Sequence, residues 1–368
     1  MKSSDSVSLI AVILLTITSV GLFNHVTVIP VLIEAVGRDA WVSVLLAGFV
    51  TLCWIPLLYF VMRKSKQKNV FVWLQEKVGK VIAFLLIGSI SLLFLIKSTV
   101  TITELTEWTI ITYLPGTPNL LIIGIFSIIC FLTAITNLRT IAIVNGVLLP
   151  IVVTLGFFVM FANQPNKDYS LLFPVLEKGF DASLLKGMVF SAAGLVEIIV
   201  ILLIQHKINS SIKLIPLLIT TVILMGLTIG PLIGAIVEFG PVEAARQRFP
   251  AYEEWALVSI GRYVEHVDFL SIYQWLTGAF IRISFFMFLI PEIFNLTDQK
   301  KRVKVLGGYF ITMIILTQLP NNDFQFHYIL STYFLPVTLF FIVAVSLLFS
   351  LLVLIKRKKG GSRTHEIS

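Results

Sequence analysis

The chain is poor in charged residues, in cysteine and in histidine. Only 13% of its 368 residues are charged, against about a quarter in soluble globular domains, and it has 2 cysteines and 5 histidines. Cys53 and Cys130 each lie within an apolar run and form no metal-like cluster. The sequence also has no phosphate-binding glycine loop and no nucleophile–base signature. We therefore expect neither a soluble protein nor an enzyme, and no catalytic residue, metal or cofactor.

Long apolar runs dominate instead. Hydrophobic residues make up 57% of the chain, and its mean hydropathy is +0.96. A run of about 20 apolar residues spans a hydrocarbon core of about 30 Å, so the sequence predicts an all-α integral membrane protein, a single polytopic domain over residues 1–368. The first run is too long for a signal peptide, and we expect no cleavage. About ten transmembrane helices are predicted near 7–33, 40–62, 81–111, 119–137, 141–162, 184–205, 212–237, 267–291, 303–319 and 332–355.

The ten predicted spans form two halves of five, at about 7–162 and about 184–355, followed by a basic tail at 356–368. Most of the 28 lysines and arginines fall on one face of the membrane, which the positive-inside rule assigns to the cytoplasm together with both termini. The net charge of +8 therefore reflects topology and implies no nucleic-acid partner. The basic residues on this face include Lys2, Arg63, Lys64, Lys66, Lys68, Lys77, Lys80, Arg139, Lys207, Lys213, Lys300, Lys301, Arg302, Lys304, Lys356, Arg357, Lys358, Lys359 and Arg363.

Small and polar residues interrupt the middle of the first span. The stretch SVGLFNHV (19–26) places Gly21, Asn24 and His25 halfway along an otherwise apolar run. In transporter-type folds, helices broken near the membrane centre bind small solutes. We interpret this stretch as a broken helix at a solute site; the alternative is that its glycine is a packing contact between helices.

The same pattern recurs in the sixth span, as an inverted repeat requires. In SAAGLVEIIV (191–200), Gly194 aligns with Gly21, and Glu197 then aligns with Asn24. Each break has small residues followed three positions later by a polar one. The sequence therefore predicts a five-plus-five inverted repeat with broken helices 1 and 6.

Four motifs spread over the chain carry a family resemblance. They are VGRDAWVSVLLAG (36–48), YLPGTPN (113–119), LLFPVLEKG (171–179) and EHVDFLSIYQWLTGAFIRIS (265–284). In order and spacing the chain resembles the B subunit of bacterial spore germinant receptors, the GerAB-type endospore germination permease family. The Asp-Ala-Trp stretch and the Gln-Trp-Leu-x-Gly-Ala-Phe stretch are its most specific parts.

This resemblance implies a fold and a role. The fold is that of the amino acid–polyamine–organocation (APC) transporters, which is LeuT-like. The role is nutrient sensing in the spore inner membrane, together with a channel-forming A subunit and a lipoprotein C subunit. Composition and periodicity alone reach only a solute-binding, transporter-like membrane protein.

Charged residues lie at membrane depth, where each costs about 2.5–3.5 kcal/mol on insertion scales and needs a reason. Lys97 and Glu104 lie on one face of span 3, and Arg282 lies in span 8. We assign these three to polar pairing in the core. Whether Lys97 pairs with Glu104, with Glu197 or with neither stays open at this point.

The predicted solute site lies between spans 1 and 6, with walls from spans 3 and 8. Asn24 offers donors and acceptors, whereas His25 is either pH-linked or a neutral packing residue. Backbone amides freed by the break in span 1 would suit a ligand carboxylate, so an amino acid ranks first and a sugar or nucleoside second. The residues assigned to ligand binding are Gly21, Asn24, His25, Thr99, Thr103, Ala193, Gly194, Leu195, Glu197, Thr277 and Gly278.

Two links on the side opposite the basic face are longer than turns, at 163–183 and 238–266. The second alternates apolar and charged residues at helical spacing, which predicts a helix lying along the membrane surface. This segment is either a lid or partner contact, or a solvated connector with one apolar face.

Three functions stay open. The first is a germinant-sensing subunit that signals to a channel partner. The second is a secondary active amino-acid permease, although span 5 lacks the ionisable residue that some proton-coupled relatives place there. The third is a scaffold subunit that binds no solute, which would have no reason to keep Asn24, Lys97, Glu197 and Arg282 at membrane depth.

Overall fold

The computed structural model describes residues 6–177, 179–259, 266–319 and 322–355. The predicted basic tail and Lys2 lie outside these residues. Helices account for most of the described chain, and within it β-type pairing is limited to one isolated parallel bridge between Val7 and Ile208. This bridge ties the start of span 1 to the end of span 6.

The first half of the chain contains five membrane spans and one short helix between spans 2 and 3. Span 1 is α1 plus α2, span 2 is α3, and spans 3, 4 and 5 are α5, α6 and α7. The helices are α1 (Leu9–Phe23), α2 (Ile29–Val36), α3 (Ala40–Lys64), α4 (Val70–Val78), α5 (Lys80–Thr112), α6 (Asn119–Ala134) and α7 (Leu138–Ala162).

The second half repeats this order, with the extra short helices between spans 7 and 8. Span 6 is α8 plus α9, span 7 is α10, spans 8 and 9 are α13 and α14, and span 10 is α15 plus α16. The helices are α8 (Ala182–Leu195), α9 (Val200–Ile204), α10 (Leu214–Phe239), α11 (Pro241–Ala244), α12 (Pro250–Ala256), α13 (Leu270–Ile293), α14 (Gln299–Leu316), α15 (Asp323–Ile329) and α16 (Leu335–Leu354).

Length and composition support the membrane assignment. In the described residues, seven continuous helical stretches are long and apolar enough to cross a membrane, and one of them, Leu9–Lys64, contains both span 1 and span 2. The shorter apolar helix Asn119–Ala134 and the helix Gln299–Leu316, which opens with basic residues, complete ten spans. The predicted all-α architecture is therefore confirmed, and the protein is a multi-pass membrane protein.

The helical geometry changes at both predicted breaks. Asn24–Val28 forms a π-helical turn between α1 and α2, and Val196–Ile199 forms a 3₁₀ turn between α8 and α9. The residues flanking each turn keep right-handed helical torsion angles, so the breaks are changes of helix type and not unwound stretches. A π-turn widens the helix by one residue and often marks a functional position. A further π-turn, Leu330–Phe334, interrupts span 10, where the sequence analysis predicts none.

Spans 6 and 8 form the centre of the bundle. Their most apolar windows are 89% buried, against 17% for span 5, most of whose residues are at least partly exposed. Span 8 packs against spans 1, 3, 4 and 5, and span 6 packs against spans 1, 2 and 10. The core of the molecule therefore surrounds the two interrupted helices and places span 8 beside them.

Two links differ from the sequence expectation. The basic link after span 2 folds into α4. The Asn69 side chain caps the first turn of this helix, and its Trp73 and Leu74 side chains are buried.

The predicted surface helix over 238–266 is wrong as one element, because span 7 extends to Phe239 and the link then forms the short helices α11 and α12. Its residues 260–265 lie outside the described part. We call the membrane face on which α12 lies the α12 side.

Candidate functional site

Three charged side chains meet at the centre of the bundle. The Glu197 carboxylate accepts hydrogen bonds from Lys97 Nζ, at 2.6 Å, and from Arg282 Nη1 and Nη2, at 2.6 and 3.0 Å. All three side chains are fully buried. We call Lys97, Glu197 and Arg282 the central ion cluster; it joins span 3, span 6 and span 8. The pairing left open by the sequence is thus with Glu197 and not with Glu104.

Additional partners complete the central ion cluster. Arg282 Nε donates to Thr101 Oγ1 at 3.0 Å, and its Nη1 donates to the Ser19 carbonyl of span 1 at 2.7 Å. The Phe23 ring lies 4.9 Å from Lys97 Nζ and 4.6 Å from the Arg282 guanidinium carbon. Two cations face one carboxylate, so the cluster carries one positive charge in excess, and the aromatic faces provide cation–π stabilisation.

The two aligned breaks contact each other directly. A Cβ atom on Gly194 would lie 1.8 Å from Asn24 Oδ1, so only glycine permits this approach of span 6 to span 1. Asn24 Nδ2 donates to Thr228 Oγ1 of span 7 at 3.0 Å, and its Oδ1 has no hydrogen-bond partner among the described residues. The two breaks that the inverted repeat predicts are therefore neighbours in space, with Asn24 of one packed against Gly194 of the other.

Glu104 belongs to a separate group on the α12 side of span 3. Its Oε2 accepts a hydrogen bond from Thr27 Oγ1, within the π-turn, at 2.6 Å, and its Oε1 lies 3.6 Å from Arg248 Nη1. Arg248, in the link before α12, also donates two hydrogen bonds to Asp323 at the start of span 10. This arrangement ties the link to spans 1, 3 and 10.

An open cavity of about 470 Å³ lies beside the central ion cluster, on the other side of span 1. Spans 1, 5, 7 and 8 form its walls, and α12 with Phe249 covers its end on the α12 side. Its volume is within the range of about 300–1,000 Å³ typical of small-molecule sites. Apolar residues line most of it, and its polar wall residues are Thr18, His25, Lys167, Tyr252, Glu254, Ser271 and Gln274.

The structure divides the predicted ligand residues between this cavity and other places. Gly21, His25 and Gly278 line the cavity, and the His25 ring is within hydrogen-bond reach of the Leu227 backbone. Thr103 lines a smaller polar cavity of about 140 Å³ between spans 3, 4, 9 and 10. The remaining predicted residues, which are buried and do not line the large cavity, are Asn24, Thr99, Ala193, Gly194, Leu195, Glu197 and Thr277.

The expected pocket between spans 1 and 6, with walls from spans 3 and 8, is therefore filled by side chains in this structure. The central ion cluster and Phe23 occupy that space, while Thr99 donates to the Leu95 carbonyl of its own helix. The π-turn also leaves no unwound backbone to offer amides to a carboxylate. Gly194 packs directly against Asn24 in this structure, since even one Cβ atom does not fit between them.

Sequence reasoning missed the walls contributed by spans 5 and 7 and by α12. Gly226 and Gly230 of span 7 line the cavity, and a Cβ atom on either would meet nothing within 4 Å. Two glycines one turn apart in an apolar helix were a signal of this open face. The aromatic residues of FPAYEEW (249–255) were another, because large amphipathic rings commonly cover binding sites.

Aromatic and polar contacts hold α12 over the cavity. Trp255 Nε1 donates to Gln274 Oε1 of span 8 at 2.9 Å, and the Tyr252 hydroxyl donates to Asp268 Oδ2 at 3.0 Å. The Trp275 ring stacks on Trp108 of span 3 at 4.3 Å between centroids.

Within the described ranges, no three His, Cys, Asp or Glu side chains come together as a metal site.

A family model and a curated relative both match nearly the whole chain, and both describe spore germination proteins. The model of the spore permease family, whose description is spore germination protein, matches residues 6–326 of this chain. The chain is 46% identical over 354 residues to spore germination protein XB of Bacillus anthracis, covering 96% of this chain and 99% of that protein.

A solved structure shows the same fold. It is a Na⁺-coupled sialic acid symporter in a substrate-bound, outward-open state, and the match has a TM-score of 0.55 at 14% identity, covering 92% of this chain and 77% of that one. The predicted transporter-like fold is therefore confirmed. The family match and the curated relative extend over nearly the whole chain, and the chain belongs to the spore germination permease family.

Proposed function

We propose that this protein is the germinant-sensing membrane subunit of a spore germination receptor and binds a small solute in the large cavity. The observation that carries the proposal is the position of that cavity. It extends from α12 to the π-turn region of span 1, one helix away from the central ion cluster. A ligand there touches the interrupted helix and its covering segment at once.

The chemistry of the wall favours an amino acid, with a sugar or nucleoside second. Glu254 and Lys167 supply both signs of charge at the α12 end, as a zwitterionic ligand needs. Apolar residues of spans 1, 5 and 7 would pack against a side chain. The few polar groups set orientation, and the apolar walls supply most of the contact area.

Signalling would proceed by a shift between two packings of span 1. The ligand stabilises one arrangement of the π-turn against span 7, and a difference of about 1–3 kcal/mol between the two states suffices for a useful switch. The receptor would sit in the spore inner membrane with both termini in the cytoplasm. It would pass the change to a channel-forming A subunit, with a lipoprotein C subunit as the third member.

A secondary active permease is the second candidate. The specific observation in its favour is the fold shared with a Na⁺-coupled symporter. The central ion cluster speaks against it, because spans 3, 6 and 8 are tied together at the depth where a carrier must let its halves move.

Binding and uptake measured together test the proposal. The purified protein is placed in liposomes and offered labelled amino acids, sugars and nucleosides, while the same solutes are screened by thermal shift. We expect binding without accumulation. Accumulation inside the liposomes would support the permease, and the absence of any response, also with both partner subunits present, would support a scaffold that binds no solute.

A further inference from the structure

Two carboxylates and one ammonium group lie at the α12 end of the large cavity. Glu238 is at the end of span 7, Glu254 is on α12, and Lys167 is in the link after span 5. Their side chains are 0%, 6% and 5% exposed, the value for Glu254 being that of the whole residue. Two negative groups against one positive group leave this end of the cavity one negative charge in excess.

Glu238 has one hydrogen-bond donor and one nearby cation, and its Oε1 has no hydrogen-bond partner among the described residues. Lys167 Nζ lies 3.6 Å from Glu238 Oε1, and Asn163 Nδ2 donates to Glu238 Oε2 at 3.0 Å. Lys167 also donates to the Met160 carbonyl, and Asn163 also donates to the Glu254 carbonyl, while the charge of Lys167 still acts on Glu254. Among the described residues, the Glu254 carboxylate is left with a hydrogen bond from the Ala235 backbone of span 7 and with no side-chain donor.

Glu254 is a buried carboxylate in the cavity wall, and one of its two oxygens is unpartnered among the described residues. Its side chain lines the cavity, and its Oε1 has no hydrogen-bond partner among the described residues. Its Oε2 lies close to span 7, where a Cβ atom on Gly234 would be only 2.6 Å away. Burial, together with the nearby Glu238 charge, raises the pKa of Glu254 well above its ordinary value of 4.5. The excess negative charge and the unpartnered oxygen of Glu254 both favour a positive group at this position.

The surroundings select the kind of cation. Trp275, Phe249, Tyr252 and Trp255 also line this part of the cavity, and aromatic faces attract organic ammonium groups. Hard metal cations instead take about six or more oxygen ligands, which this largely apolar wall does not offer. We propose that Glu254, backed by Glu238, binds an ammonium group carried by the ligand of the large cavity. This assignment rests on the proposed function only in that the ligand occupies this cavity.

Matched probes test the assignment without knowledge of the natural ligand. 2-Phenylethylamine carries the ammonium group, and 2-phenylethanol has the same body without the charge. Their binding to the full chain in detergent is measured by calorimetry for the wild type, Glu254→Gln and the control Glu253→Gln, whose side chain does not line the cavity. We expect Glu254→Gln to weaken amine binding by about 10- to 100-fold, the range of a charged hydrogen bond, with alcohol binding unchanged.

A second variant keeps the test decisive if Glu254→Gln does not fold. Lys167→Met removes the competing ammonium group and is expected to strengthen amine binding. Equal binding of the amine and the alcohol to the wild type, or equal amine binding by Glu254→Gln and the wild type, would overturn the proposal. So would displacement of the amine by millimolar Na⁺, which would reassign the site to an inorganic cation. Failure of the proposed function would show differently, as amine binding without any germinant response.

Discussion

The central ion cluster and the large cavity lie on opposite sides of span 1, and they differ in whether their buried charged groups have hydrogen-bond partners. In the cluster, the Glu197 carboxylate accepts three short hydrogen bonds from two buried cations. In the cavity, the buried Glu254 Oε1 has no partner, and glycines leave the wall open. Glu254 lies on α12, in a link between spans, so the comparison is between charged groups inside the spans and one at the end of the cavity. The satisfied charges join spans 3, 6 and 8, and we propose that the unpartnered carboxylate oxygen is available to a ligand.

The same comparison corrects a common inference about membrane proteins. A charged residue in a span marks a functional region, but it need not touch the ligand. Here Lys97 and Arg282 are already occupied by Glu197, and a solute would have to break their bonds to reach them. The following predictions separate the two regions, in order of decreasing effect on stability.

Replacing Glu197 by Gln has the largest expected effect. It leaves Lys97 and Arg282 buried and close together without their carboxylate, which is expected to cost about 3–5 kcal/mol. Thermal unfolding of the purified protein, and its yield from membranes, measure this loss. Lys97→Met is the matched variant, because it leaves the Arg282–Glu197 pair electrically balanced. If both variants lose the same stability, the account of the cluster as one anion between two cations is wrong.

Gly194→Ala is expected to cost less, about 1–3 kcal/mol, because the new Cβ atom must displace Asn24 from the π-turn. The control is Gly124→Ala in span 4, where a Cβ atom meets nothing within 4 Å and alanine favours the helix by up to about 1 kcal/mol. Unfolding midpoints of the two variants give the comparison. Equal midpoints would remove the argument for direct packing of the two breaks.

The pH dependence of stability should change with Glu254→Gln. Because the folded-state pKa of Glu254 lies well above 4.5, the folded protein binds a proton there that the unfolded chain has released. Stability contributed by this residue is therefore present below the unfolded-state pKa and is lost as pH rises towards the folded-state value. The charged and titratable groups nearby are Glu238 and Lys167, with Glu253 and Tyr252 on α12 itself. Midpoints from about pH 5 to about pH 9 should fall more steeply for the wild type than for Glu254→Gln; parallel curves would contradict this.

Much of the fold could be predicted from the sequence, and the reasons are physical. Apolar runs of membrane length fix the spans, and the paired small-then-polar stretches around Gly21 and Gly194 locate the breaks. The buried charges of Lys97, Glu197 and Arg282 could be predicted to need partners, since isolated charge at this depth is costly. The π-turn at Leu330–Phe334 was not predicted. Its Ser331 and Thr332 are small and polar, but serine and threonine also occur in regular helices, where the hydroxyl bonds to the backbone one turn earlier, as Ser331 does to His327.

The cavity was harder to predict than the polar centre. Its walls depend on which helices pack apart, and periodicity within one helix does not show which neighbour it faces. Glu254 illustrates this point, because in sequence it is one of several acidic residues in a link, and only the fold of α12 against span 7 buries it. Gly226 and Gly230 likewise gain their meaning only when span 7 faces span 1.

The most direct test of the central claim is solute binding by Gly226→Phe. A Cβ atom at this position would meet nothing within 4 Å, and the ring would take up part of the cavity, so we expect solute binding to be lost while the unfolding midpoint stays close to that of the wild type. The control is Gly124→Phe, at a helix position with equal space but outside the cavity. Loss of binding in Gly226→Phe alone would place the ligand in the cavity. Undiminished binding by Gly226→Phe would contradict the account.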